Sequence, residues 1–181
     1  MANLDSAFGF RPVRMLNGGK IPMHKYANKG ATTAIFQGDR VALQGADGRL
    51  LRIATTTPNV DCIGVAANYI ASGTAGQDVW VYDDPNTVFE VQSDGTTDTD
   101  HNDYIGSVAA CIAGTGNTTS GLGADEIDAS SITSSGTATN NVVKIIGVSA
   151  KANNDSSLSH CVMEVLLMNH MFGGRILTAS V

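Results

Sequence analysis

Charge and aromatic surface are both scarce in this sequence. Asp, Glu, Lys and Arg together make up 15% of the 181 residues and Phe, Trp and Tyr 6%. From Ile53 to Val143 there is no Lys or Arg at all. With a formal charge of −6, that gap argues against broad contact with nucleic acid phosphates or an anionic membrane. No segment carries Leu, Glu, Lys and Ala at helical spacing, so long amphipathic helices are not expected. Nor does any run reach the roughly 20 apolar residues that a membrane-spanning helix needs. The first residues lack a charged stretch followed by an apolar one, and the expectation is synthesis and folding in a reducing cytoplasm without a secretory signal. Cysteine is limited to Cys62, Cys111 and Cys161, an odd number without metal-type spacing in apolar surroundings, which reads as three buried thiols.

What the chain does have is glycine, 20 residues of it, with many Thr, Ser, Asn and Ala, a mixture that favours strands and turns. The best-specified stretch is Gly76 to Gln92. Val79, Trp80, Val81 and Tyr82 are strand formers; Asp83-Asp84-Pro85-Asn86 makes a turn; Thr87 to Gln92 then alternates as a half-buried strand. This strand, turn and strand should anchor the core, with Trp80 inside it. Asp47-Gly48 between alternating runs predicts a hairpin over residues 40–55. Further strands are expected at 32–36, 61–67, 104–112, 142–149 and 161–168. Ile-Gly pairs at Ile63-Gly64, Ile105-Gly106 and Ile146-Gly147 suggest bends or bulges suited to a tightly curved barrel. Residues 113–141, mostly Gly, Ser, Thr, Ala and Asn, read as a long outer excursion, and Gly173-Gly174 as a hinge in the tail. The fold class predicted is all-β, a small barrel or sandwich-like body formed by residues 31–181.

Residues 1–30 stand apart. They hold Arg11, Arg14, Lys20, Lys25 and Lys29 against Asp5 alone, and their glycines and prolines do not favour a regular element. Yet Phe8, Phe10, Val13, Met15, Leu16, Ile21, Met23 and Tyr26 are too apolar for a solvated tail. An extended arm of this kind either folds back on its own body or reaches a neighbouring subunit. The second reading is favoured, with Phe8, Phe10, Arg11, Arg14, Met15, Lys20 and Lys25 as interface residues, and with removal of residues 1–30 leaving a folded body.

Signals for chemistry are weak. Asp94, Asp98, Asp100, Asn102 and Asp103 around His101 could offer oxygen ligands, but they lack the calcium-loop spacing and read as a solvated acidic loop. His24, His101, His160 and His170 are scattered without zinc-site spacing. No phosphate-binding glycine loop or nucleophile elbow is present. Asp83 and Asp84 beside Pro85 are turn formers before they are a catalytic pair. No catalytic residue, cofactor or metal site is therefore expected.

The opening Ala-Asn-Leu-Asp-Ser-Ala-Phe-Gly-Phe-Arg-Pro-Val-Arg-Met-Leu-Asn-Gly-Gly closely resembles the N-terminus of tailed-bacteriophage capsid decoration, or cement, proteins. Residues 81–92 look like that family's central strand pair, and residues 164–172 like its closing strand; Gly38-Asp39 and Ile146-Gly147-Val148 agree. The resemblance implies a non-enzymatic virion protein on the outside of the capsid. Its implied partners are the major capsid protein and itself, as a homotrimer whose arms engage neighbours, with no direct contact to nucleic acid or membrane. A carbohydrate-binding or adhesive β-module is the alternative, and it requires an exposed Trp80.

Overall fold

In the computed structural model, residues 3–30, 33–44, 47–54, 61–95, 100–134 and 142–173 are described. Gly45, Ala46, Thr55, Asp98, residues 135–141 and the Gly174 half of the proposed hinge lie outside them. Two five-stranded antiparallel sheets form a sandwich-like, all-β body, and among the described residues neither sheet closes into a barrel. Sheet A runs β1 (Arg11–Met15), β7 (Thr87–Gln92), β12 (Val162–Leu167), β11 (Val143–Val148), β8 (Val108–Ala109). Sheet B runs β2 (His24–Ala27), β6 (Asp78–Tyr82), β5 (Cys62–Ala66), β3 (Arg40–Leu43), β4 (Leu50–Arg52). A small ribbon pairs β9 (Cys111–Ile112) with β10 (Glu126–Ile127). Among the described residues no helix is long and apolar enough to cross a membrane.

The expected hairpin over 40–55 forms: Val41 pairs with Arg52 and Leu43 with Leu50, and Gly48 adopts the positive φ of 65° that its turn requires. The pair at 76–92 does not form as expected. β6 belongs to sheet B and β7 to sheet A, so Asp83 to Asn86 carry the chain from one sheet to the other. Thr87 N–H donates to the Asp84 carbonyl and Asn86 N–H to the Asp84 side chain, which makes the crossing tight.

Two apolar clusters result. Sheet A packs Phe89, Val91, Ile145, Met163 and Val165 against Ala42, Cys62 and Val65 of sheet B, while Val41, Ile63, Val79 and Val81 face a second cluster on the far side of sheet B. Cys62 and Val65 lie in the first cluster, Ile63 and Ala66 in the second. Simple alternation would put Ile63 and Val65 on one face; between Val41 and Ala42 the register skips Ile63, a bulge that resets the pattern beside Gly64. The φ of Gly64 is 151°, and a Cβ there would lie 2.1 Å from the Tyr82 carbonyl oxygen, so no side chain fits. Gly147 likewise sits at a register shift in β11, whereas Gly106 lies in a turn. One parallel bridge from Asn28 to Leu50 draws the first and last strands of sheet B toward each other without closing it.

Residues 3–30 do not form the expected arm. β1 pairs with β7 and β2 with β6, making the N-terminal segment an outer strand of each sheet. Phe10, 1% exposed, stands edge-on to Phe89 at 6.1 Å, and Met15 is buried too. Glycine and proline density misled here because short edge strands tolerate both: Pro12 sits in β1 where a register shift follows, and Gly9 packs against Gly38.

The stretch after Ala113 also departs from expectation within its described part. Thr115 and Asn117 to Ser120 are exposed, as an outer excursion would be, whereas Gly121, Gly123, Asp125, Ile127 and Ala129 are buried alternately with half-buried neighbours, so residues 121–129 are an extended inner segment. Small residues make it possible, since a Cβ on Gly116 would meet the Phe36 ring at 2.4 Å and one on Gly123 would meet Asp39 at 2.6 Å. β7 is buried along its whole length, not half-buried. Its polar residues are covered: Gln92 bonds Leu4, Ser6 and His160, and Glu90 accepts from Ser149 and Lys151.

Candidate interaction surface and buried charge network

β1 and β2 occupy one flank of the sandwich, each one strand out from the β6–β7 crossing. The loop between them is fixed at both ends to that crossing. Leu16 N–H donates to the Asn86 carbonyl at 2.9 Å, and the buried Asp83 carboxylate meets His24 Nδ1 at 2.8 Å and accepts from the Tyr26 hydroxyl at 2.6 Å. Burial and Asp83 hold the Tyr26 hydroxyl well above its ordinary pKa. Asp83 is thereby a clamp on β2 and Asp84 a turn former, so the two carboxylates do separate structural work.

Of the expected interface residues, the structure leaves Arg11, Arg14, Lys20 and Lys25 exposed and takes Phe10 and Met15 into the core. Phe8 is half-buried beneath the Arg11 guanidinium, 4.1 Å from its ring centre. Arg14 pairs with Glu164 at 2.7 Å and Lys25 with Asp78 at 2.8 Å, both in partly solvated positions worth little stability. Apolar side chains the sequence reading had not assigned to a surface lie among them: Val13, Leu16 and Met23 are exposed, and so is Trp80 at 45%. Trp80 had been expected in the core. Its neighbours Val79 and Val81 take the inward positions of β6, and period-two alternation sends Trp80 outward, opposite Lys25 of β2. Met23, Ala67, Trp80 and Tyr82 line a shallow depression of about 300 Å³.

A second cluster lies inside. Arg40 and Asp125, 1% and 0% exposed, pair at 3.0 Å; Arg52 pairs with Asp39 at 2.7 Å and with Asp125 at 3.4 Å, and donates to the Gly114 carbonyl. Phe36 N–H donates to Asp39 at 2.8 Å. Four charges therefore bind the hairpin β3–β4 to the inner segment around Asp125. Burial, opposed by the Phe36 bond and reinforced by Asp125, pushes the Asp39 carboxyl up to about 7. A carboxyl raised above its unfolded value of 3.8 adds stability below that value and loses it as pH rises toward 7. In urea denaturation between pH 4.5 and 7.5, the stability of Asp39→Asn is expected to fall less, or rise more, than that of wild type. His170, held below its usual value by burial, contributes in the opposite direction in both proteins and cancels from that comparison.

The three cysteines are buried free thiols, pushed up by burial to about 11, 12 and 11 for Cys62, Cys111 and Cys161. In the acidic loop His101 is fully buried, bonding the Ser156 carbonyl, while Asp100 caps the 3₁₀ turn His101–Tyr104 and Asp94 accepts from Ala129 N–H. The reading of a solvated loop holds for Asp100, Asn102 and Asp103 and fails for His101. No protein-family model, curated protein or solved structure matches this chain.

Proposed function

We propose that this chain is a structural virion protein that docks on the outer face of a major capsid protein, as a homotrimer, and ties capsomers together. The resemblance of its opening residues to phage decoration proteins supplies the class. The flank built by β1, β2 and their loop is the observation that carries the reading: on an otherwise acidic chain it exposes Arg11, Arg14, Lys20 and Lys25 together with Val13, Leu16 and Met23, and Lys25 lies opposite the exposed Trp80. Cations together with exposed apolar side chains fit an acidic protein surface, and Trp is a residue type enriched at binding hot spots. The mechanism differs from that of a free arm. A flank fixed in the fold is pre-organised, so docking loses little conformational entropy, and a closed ring of subunits multiplies modest contacts by avidity.

Undecorated heads assembled from the major capsid protein of the same genome provide the test. Wild-type protein is expected to co-sediment with them, and Lys20→Glu/Lys25→Glu to bind at least tenfold more weakly while keeping its melting temperature. Equal binding by the variant would remove the flank from the account. The exposed Trp80 also favours a second reading, a carbohydrate-binding module using Trp80 and Tyr82 as a stacking platform. That reading predicts quenching of Trp80 fluorescence by oligosaccharides and no binding to heads.

A further inference from the structure

Asp5, Glu126 and His160 are far apart in sequence, yet one ligand atom from each falls within 4.8 Å of the other two. Each comes from a different part of the fold: the N-terminal strap, β10, and the turn before β12. They converge without bonding one another. His160 Nδ1 is 3.7 Å from Asp5 Oδ1, beyond hydrogen-bond length, and His160 Nδ1 and Glu126 Oε1 are both shielded from solvent without any hydrogen-bond partner. Shielded polar atoms in this state call for a missing partner.

The imidazole is placed by the backbone and by packing. His160 has a φ of 59°, uncommon outside glycine, and its ring lies so close to Gly95 that a Cβ there would sit 2.5 Å from Cε1. Two of the three groups are carboxylates, which repel each other when brought within 4.8 Å. A cation relieves that repulsion. One imidazole nitrogen with two carboxylate oxygens suits zinc or a similar divalent transition metal, whereas calcium wants six to eight oxygens. Tetrahedral ligands about 2.1 Å from zinc stand roughly 3.4 Å apart, and the exposed Asp5 side chain has room to close the remainder. His160 also borders a cleft of about 420 Å³ beside the N-terminal strap, and the largely exposed Asp5 side chain leaves the cluster open to solvent on its side.

We propose that Asp5, Glu126 and His160 form a zinc-class divalent metal site that fastens the N-terminal strap to the inner segment and to β12. It is a stabilising staple and stands independently of the capsid reading. The full-length protein, stripped with chelator and titrated calorimetrically with zinc chloride at pH 7.5, is expected to bind one equivalent and to melt at higher temperature once loaded. Glu126→Gln and His160→Asn should each weaken binding at least tenfold, Asn being chosen because it tolerates the left-handed backbone; Asp100→Asn should bind as wild type. Should His160→Asn fold poorly, Asp5→Asn takes its place. Absence of a saturable one-equivalent site in wild type, or unchanged affinity in Glu126→Gln together with either companion, overturns the assignment.

Discussion

Asp125→Ala is expected to lose about 3–5 kcal/mol of stability in urea denaturation, the largest effect of any single polar substitution in this chain. Asp125 is fully buried and serves both Arg40 and Arg52, so its removal strands the 1%-exposed Arg40 guanidinium without its partner. A domain of this size has about 5–15 kcal/mol in total, and the variant should sit near the edge of folding at 37 °C. Replacing the pair by apolar residues of similar volume, Arg40→Met/Asp125→Leu, should recover most of the loss, because desolvating both charges offsets much of their attraction. A loss below about 1 kcal/mol in Asp125→Ala would mean that the inner segment is not held by this network.

Phe10→Ala is expected to lose a comparable 3–5 kcal/mol in the isolated protein, by the transfer and cavity costs of a buried aromatic ring. Phe10 packs against Phe89 and lies beneath Arg40, 5.8 Å from its guanidinium, so it joins the first apolar cluster to the charge network. Were it an arm residue waiting for a neighbour, the change would leave monomer stability untouched and reduce only assembly. Deletion of residues 1–30 should accordingly give an unfolded or aggregating product, not the folded body expected from sequence, since it strips an outer strand from each sheet. The exposed members of the same segment behave oppositely: Lys20 and Lys25 substitutions leave stability unchanged.

Strand positions were legible wherever branched and other apolar residues clustered between turn signals. β3 and β6 lie where Val and Leu recur at period two, β5, β7, β11 and β12 lie in short runs rich in apolar residues, and Asp47-Gly48 located the one hairpin with a strong turn signal. Pairing was not legible, because the turn at Asp83 to Asn86 looks the same whether the next strand returns beside its predecessor or crosses to the opposite sheet. Trp80 was misplaced by residue type: the alternation with Val79 and Val81 pointed outward, and the ring's hydrophobicity was given more weight than its phase. β1 and β2 escaped notice because four or five residues, interrupted by Pro12 in β1, carry too little pattern, while their partners lie more than fifty residues away. The buried network and the Asp5, Glu126 and His160 cluster were hidden for the same reason. Their members share no local spacing, and only the folded sheets bring them together.

The central claim is that the N-terminal segment is part of the body and presents its basic, partly apolar flank from a fixed position. Amide hydrogen exchange of the free monomer measures this directly. Slow exchange is predicted at amides of Arg11–Met15 and His24–Ala27 that bond to β7 and β6, comparable to those partners, with the connecting loop exchanging faster. Exchange across residues 3–27 at the rate of an unstructured peptide, with the remainder protected, would contradict the account and restore a free arm.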